Sequence, residues 1–304
     1  MGCHRIIARV FFSVTLGLIL GSAAVAGGTV SDDVGTEFAV GNPVKRIISL
    51  APHTTEMLFA AGAGDKVVGV VAYSDYPETA KKILRIGSYE SFDLESILAL
   101  SPDLIVGWSS GNPESQLQRL RELGFELYLT EPREFESIAS NVERLGRLAG
   151  TEKIANKAAA DFRSELVSLQ SRYSGRQPVS IFYQIWNQPL MTINDHHLIG
   201  KVIDLCGGRN IFGKLDALAP QISIESVLKQ DPEVIVVTGM GHMNKEWLDV
   251  WRRWPGMKAI AKNNAFSINP DTIQRHSPRI LQGADSLCKK LDTARKRLGT
   301  GLSN

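Results

Sequence analysis

Short apolar runs alternate with amphipathic stretches along most of this chain, and Pro, Gly or Asp marks many of the boundaries. The apolar runs are rich in β-branched residues, which is typical of buried parallel strands, and the amphipathic stretches have helical spacing. Strands are predicted at 46–50, 67–71, 104–108, 126–129, 179–184, 234–238 and 265–268. Helices are predicted at 54–61, 97–100, 114–123, 134–149, 197–206, 224–229, 244–251 and 278–297. This alternation predicts an α/β fold with central, mainly parallel sheets.

One long helical pattern interrupts the alternation. It runs from Thr151 to Tyr173, and Ser174-Gly175 ends it. At 1.5 Å per residue such a helix spans about 35 Å, the width of a small domain. We therefore predict two Rossmann-like lobes, at 43–150 and 176–297, joined by one long helix at 151–175. A rigid connection between two lobes favours a binding cleft between them.

One sequence pattern occurs twice, at 94–106 and at 224–236. In each copy an N-cap residue, Asp93 or Ser223, precedes a short helix, a Pro-containing turn and a buried strand. Glu95 and Glu225 occupy the same corner of the two copies. Either two similar lobes each carry a functional glutamate, or both glutamates merely favour the helix dipole.

The first residues have the pattern of an export signal. Arg5 and Arg9 precede an apolar stretch, and Ala24-Val25-Ala26 has the small-x-small form of a cleavage site. We predict a signal peptide at 1–26 cleaved after Ala26, a flexible leader at 27–42 and a soluble exported protein. An uncleaved membrane anchor is the alternative. No later stretch reaches about 18 uninterrupted apolar residues, the length of a membrane span.

Charge and cysteine content narrow the class of protein. The chain has 34 Lys and Arg residues against 32 Asp and Glu residues, and loss of Arg5 and Arg9 leaves it formally neutral. Nothing in this balance favours nucleic acid or anionic membranes as partners. Cleavage leaves Cys206 and Cys288, which we predict to pair in an oxidising compartment. Two independent buried thiols stay possible, because the sequence does not give their Cα–Cα distance.

Enzymatic motifs have little support in the sequence. Gly107 to Gly111 has the Gly-x-Ser-x-Gly spacing, but a spacing alone does not define a catalytic site. Gly208 to Lys214 has the Gly-x-x-x-x-Gly-Lys spacing, but Leu215 follows where a phosphate loop has Ser or Thr, and the sequence has no His-Glu-x-x-His pair. The histidines after the predicted signal peptide are His53, His196, His197, His242 and His276. Their spacing does not support three ligands converging on a metal. We expect neither catalysis nor a resident cofactor, and an exported metal-dependent hydrolase is the less favoured alternative.

Aromatic residues concentrate near the predicted C-terminal ends of the strands. They are Tyr73, Tyr76, Tyr89 and Trp108 in the first lobe, and Tyr183, Trp186 and Phe212 in the second. Ligands of open α/β sheets lie at those strand ends, so these rings could wall a cleft for a large, flat, partly apolar ligand. Alternatively most of them fill the lobe cores, for which Tyr183 and Phe212 are the best candidates.

Several segments together resemble a known family. They are Ile48-Ser49-Leu50-Ala51-Pro52, Tyr73-Ser74-Asp75-Tyr76-Pro77, Asp93-Leu94-Glu95, Trp108 with Gly111-Asn112, the run from Cys206 to Phe212, Pro220 to Glu225, and Ser277-Pro278-Arg279. From about 46 to 291 the chain resembles the cobalamin-binding members of the periplasmic solute-binding proteins, whose two lobes are joined by a single helix.

This resemblance implies a monomer that captures cobalamin or a related corrinoid and delivers it to the permease and ATPase of an ABC transporter. It implies that Tyr73, Tyr89 and Trp108 line the pocket, together with the loop Asp271-Thr272-Ile273-Gln274-Arg275. It further implies a disulfide between Cys206 and Cys288, and docking of Glu95 and Glu225 onto the permease.

Some positions depart from the family pattern. Tyr89 and Ala219 stand where the family has tryptophans, and Ile185 replaces an aromatic residue whose surface the neighbouring Trp186 could restore. His53 follows the first strand near the expected pocket and is a candidate cobalt ligand. Haem or an iron chelate is the alternative cargo. Haem-binding relatives have a tyrosine ligand where this chain has Ser88, which argues against haem.

Overall fold

The computed structural model describes residues 28–299. The β-strands in this range form one hairpin and two parallel sheets. The hairpin pairs β1 (Thr29–Ser31) with β2 (Glu37–Ala39). The first sheet contains β3 (Ile47–Ser49), β4 (Val67–Val70), β5 (Leu104–Trp108) and β6 (Leu127–Thr130), in the order β4-β3-β5-β6. The second contains β7 (Val179–Gln184), β8 (Gly208–Asn210), β9 (Val234–Val237) and β10 (Ala265–Ser267), in the order β10-β9-β7-β8. All six strand pairs of these two sheets are parallel, which confirms the predicted α/β fold.

Helices pack around each sheet. Those of the N-terminal lobe are α1 (Pro52–Ala60), α2 (Leu94–Leu100), α3 (Glu114–Glu122) and α4 (Phe135–Ala149). The long helix α5 (Glu152–Tyr173) then leads to the C-terminal lobe. The helices of that lobe are α6 (Leu198–Leu205), α7 (Ile224–Gln230), α8 (Met243–Arg252), α9 (Lys258–Ala261), α10 (Pro270–Ile273) and α11 (Ile280–Leu298). The exact lobe boundaries stay predictions.

The linking helix is packed against both lobes. Phe162 of α5 belongs to the same buried cluster as Phe135 of α4 and Ile181 of β7. On its surface Arg163 pairs with Glu136 and Glu143 of α4. Because these contacts join the N-terminal lobe to the C-terminal core, α5 is a structural part of both lobes rather than a free spacer.

The hairpin differs from the flexible leader expected at 27–42. Val30 and Phe38 are buried, and the Phe38 ring lies 5.4 Å from that of Tyr128. The Asp32 carboxylate accepts the Leu129 N–H at 3.0 Å, and Asp33 accepts the Glu131 N–H at 2.7 Å. The aspartates thus bond the edge strand β6, so residues 29–39 are an ordered part of the N-terminal lobe.

The duplicated sequence pattern is also duplicated in backbone geometry. The Asp93 carboxylate accepts the Glu95 N–H at 3.0 Å, and the Ser223 hydroxyl accepts the Ser226 N–H at 3.2 Å. Helices α2 and α7 end at Ser101 and Asp231, whose φ and ψ angles are 44° and 62°, and 42° and 63°. This left-handed conformation is uncommon for non-glycine residues and is further disfavoured before proline. Both copies therefore make the same unusual turn, and each leaves its glutamate exposed.

Cys206 and Cys288 form the predicted disulfide, which joins the C-terminal end of α6 to α11. The predicted signal peptide and its cleavage site after Ala26 lie outside the described residues. Between residues 28 and 299 no helix has the length and apolarity needed to span a bilayer.

Candidate functional site

A cavity of about 480 Å³ lies between the two lobes. It is lined by Tyr89, Trp108, Ser110, Glu131, Pro132, Arg133, Ile185, Trp186, Met191, His196, His197, Leu198, Ile199, Leu218, Ala219, Gln274 and His276. Trp108 ends β5, Glu131 follows β6, and Ile185 follows β7. The cavity therefore lies at the carboxyl ends of the parallel strands, where ligands of open α/β sheets bind.

The aromatic wall of the N-terminal lobe is held by one buried amide. The Asn112 side chain donates to the Leu50 carbonyl at 3.0 Å and to the Tyr89 carbonyl at 2.8 Å. Its Oδ1 accepts the Trp108 N–H at 2.7 Å. The Tyr89 and Trp108 ring centroids are 6.3 Å apart, so one amide positions two neighbouring aromatic surfaces.

The opposite wall carries Trp186. Its indole Nε1 donates to the Gln188 carbonyl at 3.0 Å, and its ring meets the Trp247 ring edge-on at 6.3 Å. Trp186 is nevertheless 45% exposed, so much of its ring is available to a ligand. Met191, Leu218 and other apolar side chains line the same wall. Both lobes thus offer apolar and aromatic surface to one space.

Three imidazoles form a row where the two lobes meet. The His53 and His276 ring centroids are 6.3 Å apart, and those of His276 and His197 are 5.2 Å apart. Burial lowers the pKa of His53 to about 3, with further lowering by His276 and Arg275. Burial likewise lowers the pKa of His197 to about 3, helped by His276, and that of His276 to about 4. All three rings are therefore neutral at neutral pH.

Most polar side chains at the cavity form hydrogen bonds or ion pairs with other protein groups. Both oxygens of the Glu131 carboxylate accept hydrogen bonds from Ser110, one from its N–H and one from its hydroxyl, each at 3.0 Å. Arg133 approaches Glu131 at 3.7 Å. The Gln274 amide donates to the Thr238 hydroxyl at 2.7 Å. The site is an apolar cleft with a few fixed polar groups, which is typical of small-molecule sites.

The structure brings four of the expected ligand-binding residues to this cavity, namely Tyr89, Trp108, Trp186 and Gln274. Tyr73, which is 58% exposed with φ 64°, is not among the lining residues. Ile273 is buried in the core of the C-terminal lobe. The Thr272 hydroxyl donates to the Asn269 carbonyl, also away from the lining.

Arg275 and Asp271 belong instead to a network of ion pairs, which we term the lobe junction, formed by Glu56, Asp75, Asp271, Arg275, Ser277 and Arg279. The Arg275 guanidinium contacts Glu56 at 3.0 Å, Asp75 at 2.6 Å and Asp271 at 2.7 Å. Glu56 is only 3% exposed and also accepts from Ser277 and Arg279. The junction joins the two lobes beside the cleft.

His53 does not line the cavity. Its Nε2 lies 3.2 Å from the Thr130 hydroxyl, which itself donates to the Gly107 carbonyl. The hypothesis that His53 approaches a cobalt ion is therefore not supported by this geometry. Within residues 28–299 no three His, Cys, Asp or Glu side chains are grouped so that they could hold a metal ion.

Several lining residues were not predicted from the sequence, above all Glu131, Arg133, His196, His197 and His276. Glu131 and Arg133 follow closely after a predicted strand, and this position could have predicted that they line the cavity. The histidines had no such signal, because only the fold brings the segments around 53, 197 and 276 together.

Two α/β lobes joined by one helix, with an aromatic cleft between them, define a solute-binding protein. Residues 47–272 match the periplasmic binding protein family, and the chain belongs to this family.

Comparisons with individual proteins narrow this class. The vitamin B12-binding protein of Vibrio cholerae is 39% identical over 260 residues, which cover 84% of this chain and 92% of that protein. The crystal structure of the periplasmic vitamin B12 binding protein of Vibrio cholerae matches with a TM-score of 0.77 at 38% identity, covering 84% of this chain and 99% of that one. The apo periplasmic haem-binding protein of Roseiflexus sp. RS-1 matches with a TM-score of 0.72 at 22% identity, over 84% of this chain and 99% of that one. The last similarity shows the fold alone.

Proposed function

We propose that this protein binds cobalamin or a related corrinoid in the cleft between its lobes and delivers it to the permease and ATPase of an ABC transporter. The observation that carries the proposal is the pair of facing walls, with Tyr89 and Trp108 on one lobe and Trp186 on the other. Aromatic faces bury large flat ligands well and tolerate polar groups at the ligand edge. The identity to vitamin B12-binding relatives over most of the chain supports the same cargo.

The size of the cleft bears on how such a ligand is held. A corrinoid with its nucleotide arm is larger than a cavity of about 480 Å³ can enclose. Bound cobalamin would therefore keep part of its surface in solvent, or the lobes would move apart to admit it. Partial exposure suits a carrier, because the ligand has to leave again at the transporter.

Haem is the alternative cargo, and the chemistry of the cleft favours it less. A tyrosinate iron ligand requires an ionised phenol. Burial raises the pKa of the Tyr89 phenol, and a hydrogen bond with Glu90 raises it further. Ser88, at the position where haem-binding relatives have their tyrosine, bonds the backbone of Ser91 instead.

Ligand titration tests the proposal. The mature protein is titrated with cyanocobalamin and with haemin while absorbance and heat are recorded. We expect saturable cyanocobalamin binding with a dissociation constant in the micromolar range or tighter, equivalent to about 8 kcal/mol or more. No cyanocobalamin binding would overturn the proposal, and a haemin Soret shift in its place would support the haem alternative.

We further propose that Glu95 and Glu225 contact basic residues of the permease. Both are exposed at equivalent corners of the two lobes. Hydrogen bonds from the Glu225 N–H and from Ser223 lower the pKa of the Glu225 carboxyl, which keeps that side chain charged. Two anionic points on one receptor would steer and orient a positively charged partner.

Charge reversal tests this docking. The variant carrying both Glu95→Arg and Glu225→Arg should lose ligand uptake in cells while the purified protein keeps its ligand affinity. Glu37→Arg, an exposed reversal on the hairpin, is the matched control and should support normal uptake. Lost ligand affinity in the double variant, or normal uptake by it, would contradict the proposed docking role.

A further inference from the structure

The half-buried imidazole of His276 has no hydrogen-bond partner among residues 28–299. His276 lines the cavity and touches the rings of His53 and His197, and its side chain forms no hydrogen bond with any residue in the described range. A half-buried polar ring without a partner is a candidate for direct contact with a ligand.

The hydrogen bonds of the neighbouring histidines single out His276. His197 Nδ1 accepts the Ile199 N–H at 3.1 Å, so the proton of its neutral ring resides on Nε2 and no lone pair is left. His53 Nε2 donates to Thr130, because the Thr130 hydroxyl uses its own proton on the Gly107 carbonyl. His53 is also outside the cavity lining, and His196 is exposed at its edge. Among these rings, His276 combines burial, access to the cavity and a free nitrogen lone pair.

The backbone around His276 is anchored on both sides. The preceding residue, Arg275, pairs with Glu56 and Asp75 of the N-terminal lobe. The following residue, Ser277, donates its hydroxyl to the other oxygen of Glu56. The imidazole is therefore held where the lobes meet, and a side chain fixed in this way contacts a ligand with little loss of conformational entropy.

We propose that His276 coordinates the cobalt of the bound corrinoid through an imidazole nitrogen, in place of an exchangeable axial water. This inference rests on the proposed function. Neutral imidazole is a common metal ligand, and the corrin ring itself supplies the four equatorial nitrogens. The Co–O bond to water breaks, the Co–N bond forms, the water leaves, and cobalt keeps its oxidation state. Cyanide is a much stronger axial ligand than water, so the cleft should prefer aquacobalamin to cyanocobalamin.

Binding of both corrinoids to the wild-type protein and to His276→Ala tests the assignment. We expect the wild type to bind aquacobalamin at least about tenfold more tightly than cyanocobalamin, with a shift of the corrin absorption bands that marks replacement of water by nitrogen. In His276→Ala the shift should vanish and the affinity ratio should fall to about one. His276→Gln keeps the side-chain bulk without an imidazole and should behave in the same way.

His242→Ala is the control for adventitious coordination, because His242 is a solvent-exposed imidazole in the C-terminal lobe. The His242→Ala variant should keep both the shift of the corrin absorption bands and the preference for aquacobalamin over cyanocobalamin. If the wild type binds both corrinoids equally and without a shift, the inference fails while the proposed function stands. If the shift persists in His276→Ala, another group is the ligand and the assignment is wrong. If neither corrinoid binds the wild type, the proposed function itself fails.

Discussion

Gly111 shows how a missing side chain can orient an aromatic wall. A Cβ atom built on Gly111 would lie 1.8 Å from the ring of Trp108, far inside van der Waals contact. The indole can therefore keep its observed orientation only because residue 111 is glycine. Asn112, the next residue, holds the backbones of Trp108 and Tyr89. Two adjacent residues thus prepare the surface that we expect the ligand to contact.

Gly111→Ala should weaken ligand binding. The added methyl group would displace the Trp108 ring, and we expect an affinity loss of about tenfold to hundredfold, typical of a disturbed aromatic contact. Titration with cyanocobalamin and intrinsic tryptophan fluorescence measure the effect. Gly256→Ala is the matched control, because a Cβ there meets nothing within 4 Å. Wild-type affinity in Gly111→Ala would show that the Trp108 orientation is not important for binding.

At the scale of elements, the hydrophobic pattern predicted the strands of both sheets except one, and the long helix to within a residue of its observed bounds. Strand β8 was missed because Gly208-Arg209-Asn210 has no apolar run; it is an edge strand defined only by its pairing with β7. The hairpin was missed for a related reason. In the sequence, Asp32 and Asp33 have the character of solvated loop residues. Their ordering depends on hydrogen bonds from the backbone of Leu129 and Glu131, at the edge strand β6, which no local pattern predicts.

Part of the site was predictable because its residues follow strand ends. Trp108 and Trp186 are aromatic residues at such positions, and they line the cavity. The family resemblance predicted that Ile273 contacts the ligand. In the structure Ile273 belongs to the short helix α10, and its side chain is buried in the core of the C-terminal lobe. The row formed by His53, His276 and His197 depends on how the two lobes meet, which no local pattern encodes.

The disulfide between α6 and α11 should be a major source of stability. It closes a loop with a sequence separation of 82, for which the chain-entropy model gives about 4.5 kcal/mol of stabilisation. We expect the double variant Cys206→Ala and Cys288→Ala to lower the free energy of unfolding by about 2–4 kcal/mol. Urea denaturation with and without a reductant measures this, and the reductant should leave the variant unaffected. Equal unfolding free energies for the oxidised wild type and the double variant would contradict the expectation.

At the scale of the whole molecule, several contacts join the two lobes. They include α5, which packs into both lobes, and the lobe junction around Glu56 and Arg275. The ion pair between Lys201 of α6 and Glu134 at the start of α4 also joins them, at 3.0 Å. Any wide opening of the cleft must separate the Glu56 carboxylate from Arg275 and Arg279. Leaving a buried charge unpaired is costly, so we expect only small relative movements of the lobes.

The row of buried histidines makes the stability of the molecule depend on pH. The folded-state pKa values of His53, His197 and His276 lie at about 3 to 4, below the ordinary histidine value of 6.5. Between pH 6.5 and about pH 3 the unfolded chain therefore binds protons that the folded protein does not. The free energy of unfolding should fall as the pH is lowered through this window, by up to about 1.4 kcal/mol per pH unit for each ring.

Urea denaturation at pH 7.5 and pH 5.0 measures this dependence. The difference in unfolding free energy between the two pH values should be smaller in His53→Gln than in the wild type, by up to about 2 kcal/mol. His242→Gln, which replaces an exposed ring, should keep the wild-type difference. An unchanged difference in His53→Gln would mean that His53 becomes protonated without opening the structure.

The repeated turn at Ser101 and Asp231 has a consequence for orientation. Since α2 and α7 end with the same backbone geometry, each lobe presents its glutamate in the same relation to its own sheet. A partner with twofold rotational symmetry would meet an equivalent acid from either lobe, and the glutamates alone could not tell head from tail. The two copies differ in charge close to the glutamates, because Asp93 caps α2 whereas the neutral Ser223 caps α7, and Lys229 of α7 corresponds to Ala99 of α2. These charge differences would then allow a symmetric partner to distinguish the two ends of the molecule.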